Sequence, residues 1–164
     1  MKDLPHYFAI VLILFMGLTG CVNVENKKPG VNDEIATITQ TIHNSIGWAK
    51  DKDLDMLYAV IANDSAFLEV HPNGRVVKGI GQFRTAEEFW MSPDFKAIRY
   101  EIRDLTVSMS ESGTVAWWFC VLDDITEYKG RPACWENTRW TGVAEKRDGN
   151  WVIVQQHFSF AEGK

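Results

Sequence analysis

The chain has 164 residues, enough for one domain with a core of its own. A net charge of −5 argues against nucleic acid as a partner, because a phosphate backbone requires a basic face. Seven Trp and nine Phe stand out, and they suit a wide core, an aromatic cavity or a buried dimer face.

Residues 1–21 stand apart from the domain. An apolar run from Tyr7 to Leu18 follows Lys2; it fits a secretory h-region and is short for a bilayer span. Leu18-Thr19-Gly20-Cys21 resembles a lipobox, where a bacterial lipoprotein precursor is cut and the new N-terminal Cys is lipid-modified. The expectation is a signal peptide over 1–21, lipidation at Cys21, and a domain anchored on the extracytoplasmic side of the cell membrane. The alternative is an uncleaved anchor helix from Leu4 to about Val24. Residues 22–32 are polar, contain Pro29-Gly30 and read as a linker. The domain then occupies 33–164.

Asn32 or Asp33 can cap a helix carrying Ile35, Ile38, Ile42 and Ile46 on one stripe. It should end near Trp48-Ala49, before Lys50-Asp51-Lys52-Asp53. Leu54, Leu57, Tyr58 and Ile61 mark a second helix, stopped by Asn63-Asp64. Ser65 to Val70 is a strand, His71 to Gly74 a turn, and Arg75 to Lys78 a short return strand. Gly79 and Gly81 bracket the start of a third helical stretch with Phe83, Phe89 and Trp90. Thr85 and Glu88 fit a capping box inside it, and Ser92-Pro93 ends it.

The remainder reads as β. Ile98, Tyr100 and Ile102 alternate, and Leu105, Val107 and Met109 continue in the opposite phase. That slip at Arg103-Asp104 marks a β-bulge. Ser112-Gly113 turns the chain. Val115 to Leu122 is apolar on both faces and reads as a central strand. A turn at Lys129-Gly130 leads into two long strands between Arg131 and Phe160, joined at Asp148-Gly149. A two-residue loop there sets Arg147 opposite Asn150 and Ala144 opposite Ile153. Strict alternation then predicts Gly142 opposite Gln155 and Trp140 opposite His157. Cys120 and Cys134 should point to opposite faces, which disfavours a disulfide. No C-x-x-C or His/Cys cluster suggests a metal site, and no cofactor is implied. Helices followed by long antiparallel strands give an α+β order, with a bent sheet curling over the helices as a half-open cone.

The run TRWTGVAEKRDGNWVIVQQHFSF resembles the C-terminal hairpin of SnoaL-like domains, members of the nuclear transport factor 2-like superfamily. Its shorter piece RDGNWVIVQQH is similar to the end of the association domain of calcium/calmodulin-dependent kinase II. The resemblance implies a conical α+β barrel: three N-terminal helices packed on a strongly curved, mainly antiparallel sheet, of nuclear transport factor 2-like or cystatin-like type. It also implies a homodimer formed through the outer sheet face.

With the expected register, one sheet face collects Trp117, Phe119, Thr138, Trp140, Gln155 and His157, an aromatic wall with a few polar groups. His157 is the sharpest proton-transfer candidate, although a histidine stacked on Trp140 for structural reasons is the plainer reading. Tyr58 and Trp90 lie on helices facing the sheet; Tyr58 resembles the oxyanion-donating tyrosines of ketosteroid isomerases in this superfamily. Asp64 could serve as a general base at a pocket mouth, or simply end a helix. Arg139 suits a cation–π or dimer-interface role, unless a bulge between Arg139 and Gly142 turns it into the cavity. Asp123-Asp124 with Glu127 could attract a cation, but a solvated strand edge is its usual meaning.

The reading reached is a membrane-tethered, extracytoplasmic domain binding a small, partly apolar molecule. Its ligand would touch Tyr58, Trp90, Trp117, Phe119, Trp140, Gln155 and His157. An acid/base enzyme of isomerase, cyclase, dehydratase or hydrolase type using His157, Asp64 and Tyr58 is the alternative, and the balance falls against catalysis. A dimeric association module with a filled cavity is the third. A titratable pair within hydrogen-bond reach in an open cavity would favour the enzyme.

Overall fold

The computed structural model describes residues 29–161. The expected signal peptide, Cys21 and most of the expected linker lie outside the described residues.

The isoleucine stripe forms α1 (Val31–Asp51), with Ile38 and Ile42 fully buried. Each such side chain contributes about 1.5–3 kcal/mol of burial. The helix starts slightly earlier than expected: Gly30 is the N-cap, and Asp33 accepts its N–H from within the first turn at 3.1 Å. The Lys50–Asp53 break both stops and restarts the chain. Lys52 takes a left-handed conformation to end α1, and Asp53 caps α2 (Leu54–Val60) by accepting from Met56 N at 2.9 Å. Strands β1 (Leu68–Val70) and β2 (Val76–Lys78) form a short hairpin. The third helical stretch is interrupted, giving α3 (Gly79–Arg84) and α4 (Glu87–Met91). Thr85 does not open a capping box; its hydroxyl donates back to Gln82 O at 2.7 Å and closes α3.

Long strands follow: β3 (Phe95–Met109), β4 (Val115–Tyr128), the two-residue β5 (Arg131–Pro132), β6 (Trp135–Arg147) and β7 (Asn150–Phe160). The sheet order is β2-β1-β7-β6-β4-β3, with β5 paired to β4. Every pairing is antiparallel except β1 with β7. The sheet curls around α1 and α2, which pack on β3 and β7. The expected α+β cone is therefore present, as a mixed sheet half-barrel with helices inside. One tie joins distant segments: Glu34 of α1 accepts from Trp151 Nε1 at 2.7 Å and pairs with Lys146.

Bulges decide which residues face inward. The expected slip in β3 is present, with an extra residue between Arg103 and Thr106 and Asp104 at φ 54°. Three more were not expected. In β3, Ile98 adds a residue between the pairs Ala97–Thr126 and Arg99–Ile125. In β6, Asn137 at φ 50° adds a residue between Trp135 and Thr138, so both of those face the concave side. In β7, Val154 adds a residue between the pairs Ala144–Ile153 and Val143–Gln155. Beyond Val154 the expected register is off by one. Gly142 faces Gln156, Thr141 faces His157, and Trp140 faces Phe158. One inserted residue reverses every later side chain.

Candidate functional site

Between the helices and the concave sheet lies a cavity of about 500 Å3. Five aromatic side chains wall it: Phe83 from α3, Phe89 and Trp90 from α4, Phe95 from β3 and Trp135 from β6. Their rings brace one another. Phe83 lies 4.9 Å from Trp90 and Phe89 lies 5.1 Å from Phe95, centroid to centroid. A smaller extension of about 130 Å3 reaches further in, to Gln156 and Phe158.

Polar groups gather at the inner end. Glu69 alternates inward on β1, and its parallel partner Gln156 stands beside it on β7. Glu69 is 5% exposed and Gln156 is 4% exposed. Gln156 Nε2 donates to Glu69 Oε2 at 2.5 Å, while Gln156 Oε1 has no protein partner among the described residues. His71, two residues after Glu69, lies on the same side. Its Nε2 is 2.5 Å from Glu69 Oε1, close enough to pair as ions but not aligned as a hydrogen bond. The turn holds this imidazole in place: His71 N donates to Arg75 O, and Gly74 N donates to His71 O. Its ring meets Trp135 edge-on at 5.6 Å.

Asp124 completes the set from β4, between Tyr100 of β3 and Trp135 of β6. No protein group bonds its carboxyl among the described residues, and burial pushes its pKa up to about 6. Its neighbour Asp123 behaves differently. It accepts from Arg103 Nη2 at 3.0 Å and from Asn137 N at 2.6 Å. The pair is thus not a solvated edge: Asp123 stitches the β6 bulge and Asp124 turns into the cavity. Arg75 lines the opening and is exposed. Chemically, the arrangement offers a carboxylate-held imidazole, an unpaired carboxyl and a free amide carbonyl, all beside aromatic walls.

Of the residues expected to touch a ligand, Trp90 lines this cavity. Trp117, Phe119 and Gln155 do come together, but on the convex face, around a shallow hollow of about 440 Å3. Trp117 is 49% exposed and Phe119 is 41% exposed. The Val154 bulge is the reason Gln155 sits there, and it also directs His157 outward into solvent beside Thr141. Trp140 is fully buried in the core, stacked on Phe158 at 5.4 Å, and is packing. Thr138 is likewise buried.

Tyr58 donates its hydroxyl to Glu87, and Arg84 sits over its ring at 4.5 Å. Burial, then the Glu87 contact, raises its pKa well above the usual value. It does not line the cavity and its hydroxyl is already engaged. Asp64 is fully spoken for at the surface: it accepts from Ala66 N at 2.8 Å and from Arg147 Nη1 at 2.6 Å, and these hold its pKa down. Neither suits the catalytic role expected. Arg139 lies on the outer face and donates to Phe160 O at 2.6 Å; no bulge turns it inward. Cys120 is buried, which pushes its thiol up to about 12, and Cys134 donates to Thr126 O; both are free.

Sequence reasoning missed Glu69, His71, Asp124, Trp135 and Gln156. A signal for the first two was present, since Glu-Val-His on a strand puts the acid and the imidazole on one face.

The SnoaL-like domain family matches residues 38–162 of this sequence. No curated protein matches it. Among solved structures, a protein from Streptomyces avermitilis classed as a dehydratase of the NTF2-like family superposes with a TM-score of 0.68 at 15% identity, covering 80% of this chain and 99% of its own. A protein from Exiguobacterium sibiricum, classed as a calcium/calmodulin-dependent kinase II association domain, gives 0.66 at 12% identity, covering 84% and 99%. An NTF2-like protein from Cytophaga hutchinsonii gives 0.63 at 15%, covering 77% and 98%. At these identities the shared property is the fold.

Proposed function

The chain belongs to the SnoaL-like domain family, and from that premise we propose that it binds a small, partly apolar organic molecule in the concave cavity. The observation that carries this reading is the hollow itself: about 500 Å3, aromatic-walled, with a few convergent polar groups at its inner end. A thermal-shift screen of the full chain in detergent tests it. A ligand should raise the Tm of the wild type and lose that effect in Trp135→Ala. No shift across a broad library of organic acids, amines and lipid-like molecules would overturn it.

A second reading, an acid/base enzyme, is favoured by one specific contact, the His71–Glu69 pair inside an open cavity. His71 would exchange a proton with the substrate while Glu69, beside its Nε2, holds the ring in place. These two take the roles expected of His157, Asp64 and Tyr58. On any substrate found, His71→Asn should lower kcat by about 100-fold or more with little change in KM. Equal turnover by the variant would remove this reading and leave the binding reading standing.

The domain hangs from the extracytoplasmic side of the cell membrane by lipid on Cys21. The apolar run Tyr7 to Leu18 and its lipobox-like end support the tether. Mass spectrometry of the mature protein checks it: an intact Met1 with an unmodified Cys21 would refute it. Two copies pair through the convex sheet face, a reading supported by the exposed Trp117 and Phe119 there. An association module with a filled cavity is the least supported reading, because the hollow is open.

A further inference from the structure

We infer that the cavity's ligand carries a protonated amine, seated between the Asp124 carboxylate and the Gln156 carbonyl, with its apolar body against Trp90 and Trp135. This rests on the cavity being a ligand site and adds the chemical class.

Three independent features carry it. First, one of the two carboxyls facing the cavity has no partner among the described residues. Glu69 and Asp124 are both carboxyls; His71 lies against Glu69 and Arg75 stays exposed at the opening. Asp124 is left with no counter-charge, and its burial-raised pKa of about 6 is what a desolvated, unpaired carboxyl shows. An ammonium group would supply the missing partner, whereas a carboxylate ligand would meet repulsion from both acids. Second, Gln156 is 4% exposed, and its Nε2 is committed to Glu69. The orphaned Oε1 is an acceptor, so it calls for an N–H or O–H donor from the ligand. Third, Trp and Phe rings line the cavity, and the negative face of such a ring attracts a cation through its quadrupole. An uncharged alcohol would satisfy the second feature alone.

The test compares three probes of one shape: 2-phenylethylammonium, 2-phenylethanol and 3-phenylpropionate. Each is titrated calorimetrically into the full chain in detergent near pH 7.5. The ammonium should bind at least tenfold tighter than the other two. Asp124→Asn should remove that preference, the ammonium losing at least tenfold more affinity than the alcohol, with far-UV circular dichroism verifying the fold. A second variant, Gln156→Leu, should also weaken the ammonium, because the orphaned acceptor is gone. Tightest binding by the carboxylate would overturn the inference and leave the cavity as a ligand site. So would an ammonium preference that survives in Asp124→Asn. Binding by none of the three probes would count against both.

Discussion

The concave and convex faces of the sheet carry hollows of similar size, about 500 and 440 Å3, and aromatic rings line both. They differ in what the aromatics surround. On the concave side Trp90 and Trp135 stand over Glu69, His71, Asp124 and Gln156, groups taken out of water and only partly paired. On the convex side Trp117 and Phe119 stand over hydroxyls and the Gln155 amide, and no titratable side chain lines that hollow among the described residues. Aromatic content therefore does not distinguish a site from a surface; desolvated, unpaired polar groups do.

The comparison can be broken most forcefully at the layer the two faces share. Trp140→Ala removes a fully buried ring stacked on Phe158 and should cost about 3–5 kcal/mol, read from denaturant unfolding. Both hollows should lose their shape together. Gly142→Ala is next. A Cβ there would lie 2.1 Å from the Trp118 ring and 2.7 Å from Gln155 O, so backbone as well as side chain must move. A loss of about 2–3 kcal/mol is expected in the same assay.

Asp124→Asn sharpens the contrast with the opposite sign. A carboxyl whose pKa rises from 3.8 to about 6 on folding costs stability once ionised. That cost is absent at pH values below about 4, grows as pH rises through 6 and is complete above it. The variant should be more stable than the wild type by about 1–2 kcal/mol at pH 7.5, with the gain gone by pH 4. A constant difference across that range would contradict the desolvated carboxyl. The smallest effect belongs to the outer face: Trp117→Ser and Phe119→Ser, which remove half-exposed rings, should each cost about 1 kcal/mol. In sedimentation velocity, however, the pair should shift a dimer to monomers.

Most of the architecture was legible because its signals are local. The Ile35–Ile46 stripe, the Asp148-Gly149 turn and the slip at Arg103-Asp104 each need only a few neighbouring residues. The site was not, because face assignment accumulates errors along a strand. Counting by twos from Asp148-Gly149 is right to Ile153 and inverted beyond Val154, so Gln155 and His157 were expected where Gln156 and Phe158 stand. Val154 is one apolar residue in an apolar strand and nothing in its type announces a bulge. Asn137, by contrast, is a residue type that tolerates a left-handed backbone, and it does re-aim Trp135. The parallel pairing of β1 with β7, which sets Glu69 beside Gln156, joins segments far apart in sequence and leaves no local trace.

The most direct test is a 15N NMR titration of the full chain in detergent, following the indole N–H signals as the tightest-binding of the three phenyl probes is added. A concave site predicts that Trp90 and Trp135 shift while Trp117 stays still. Movement of Trp117 alone, accompanied by the His157 ring, would contradict it and return the site to the convex face.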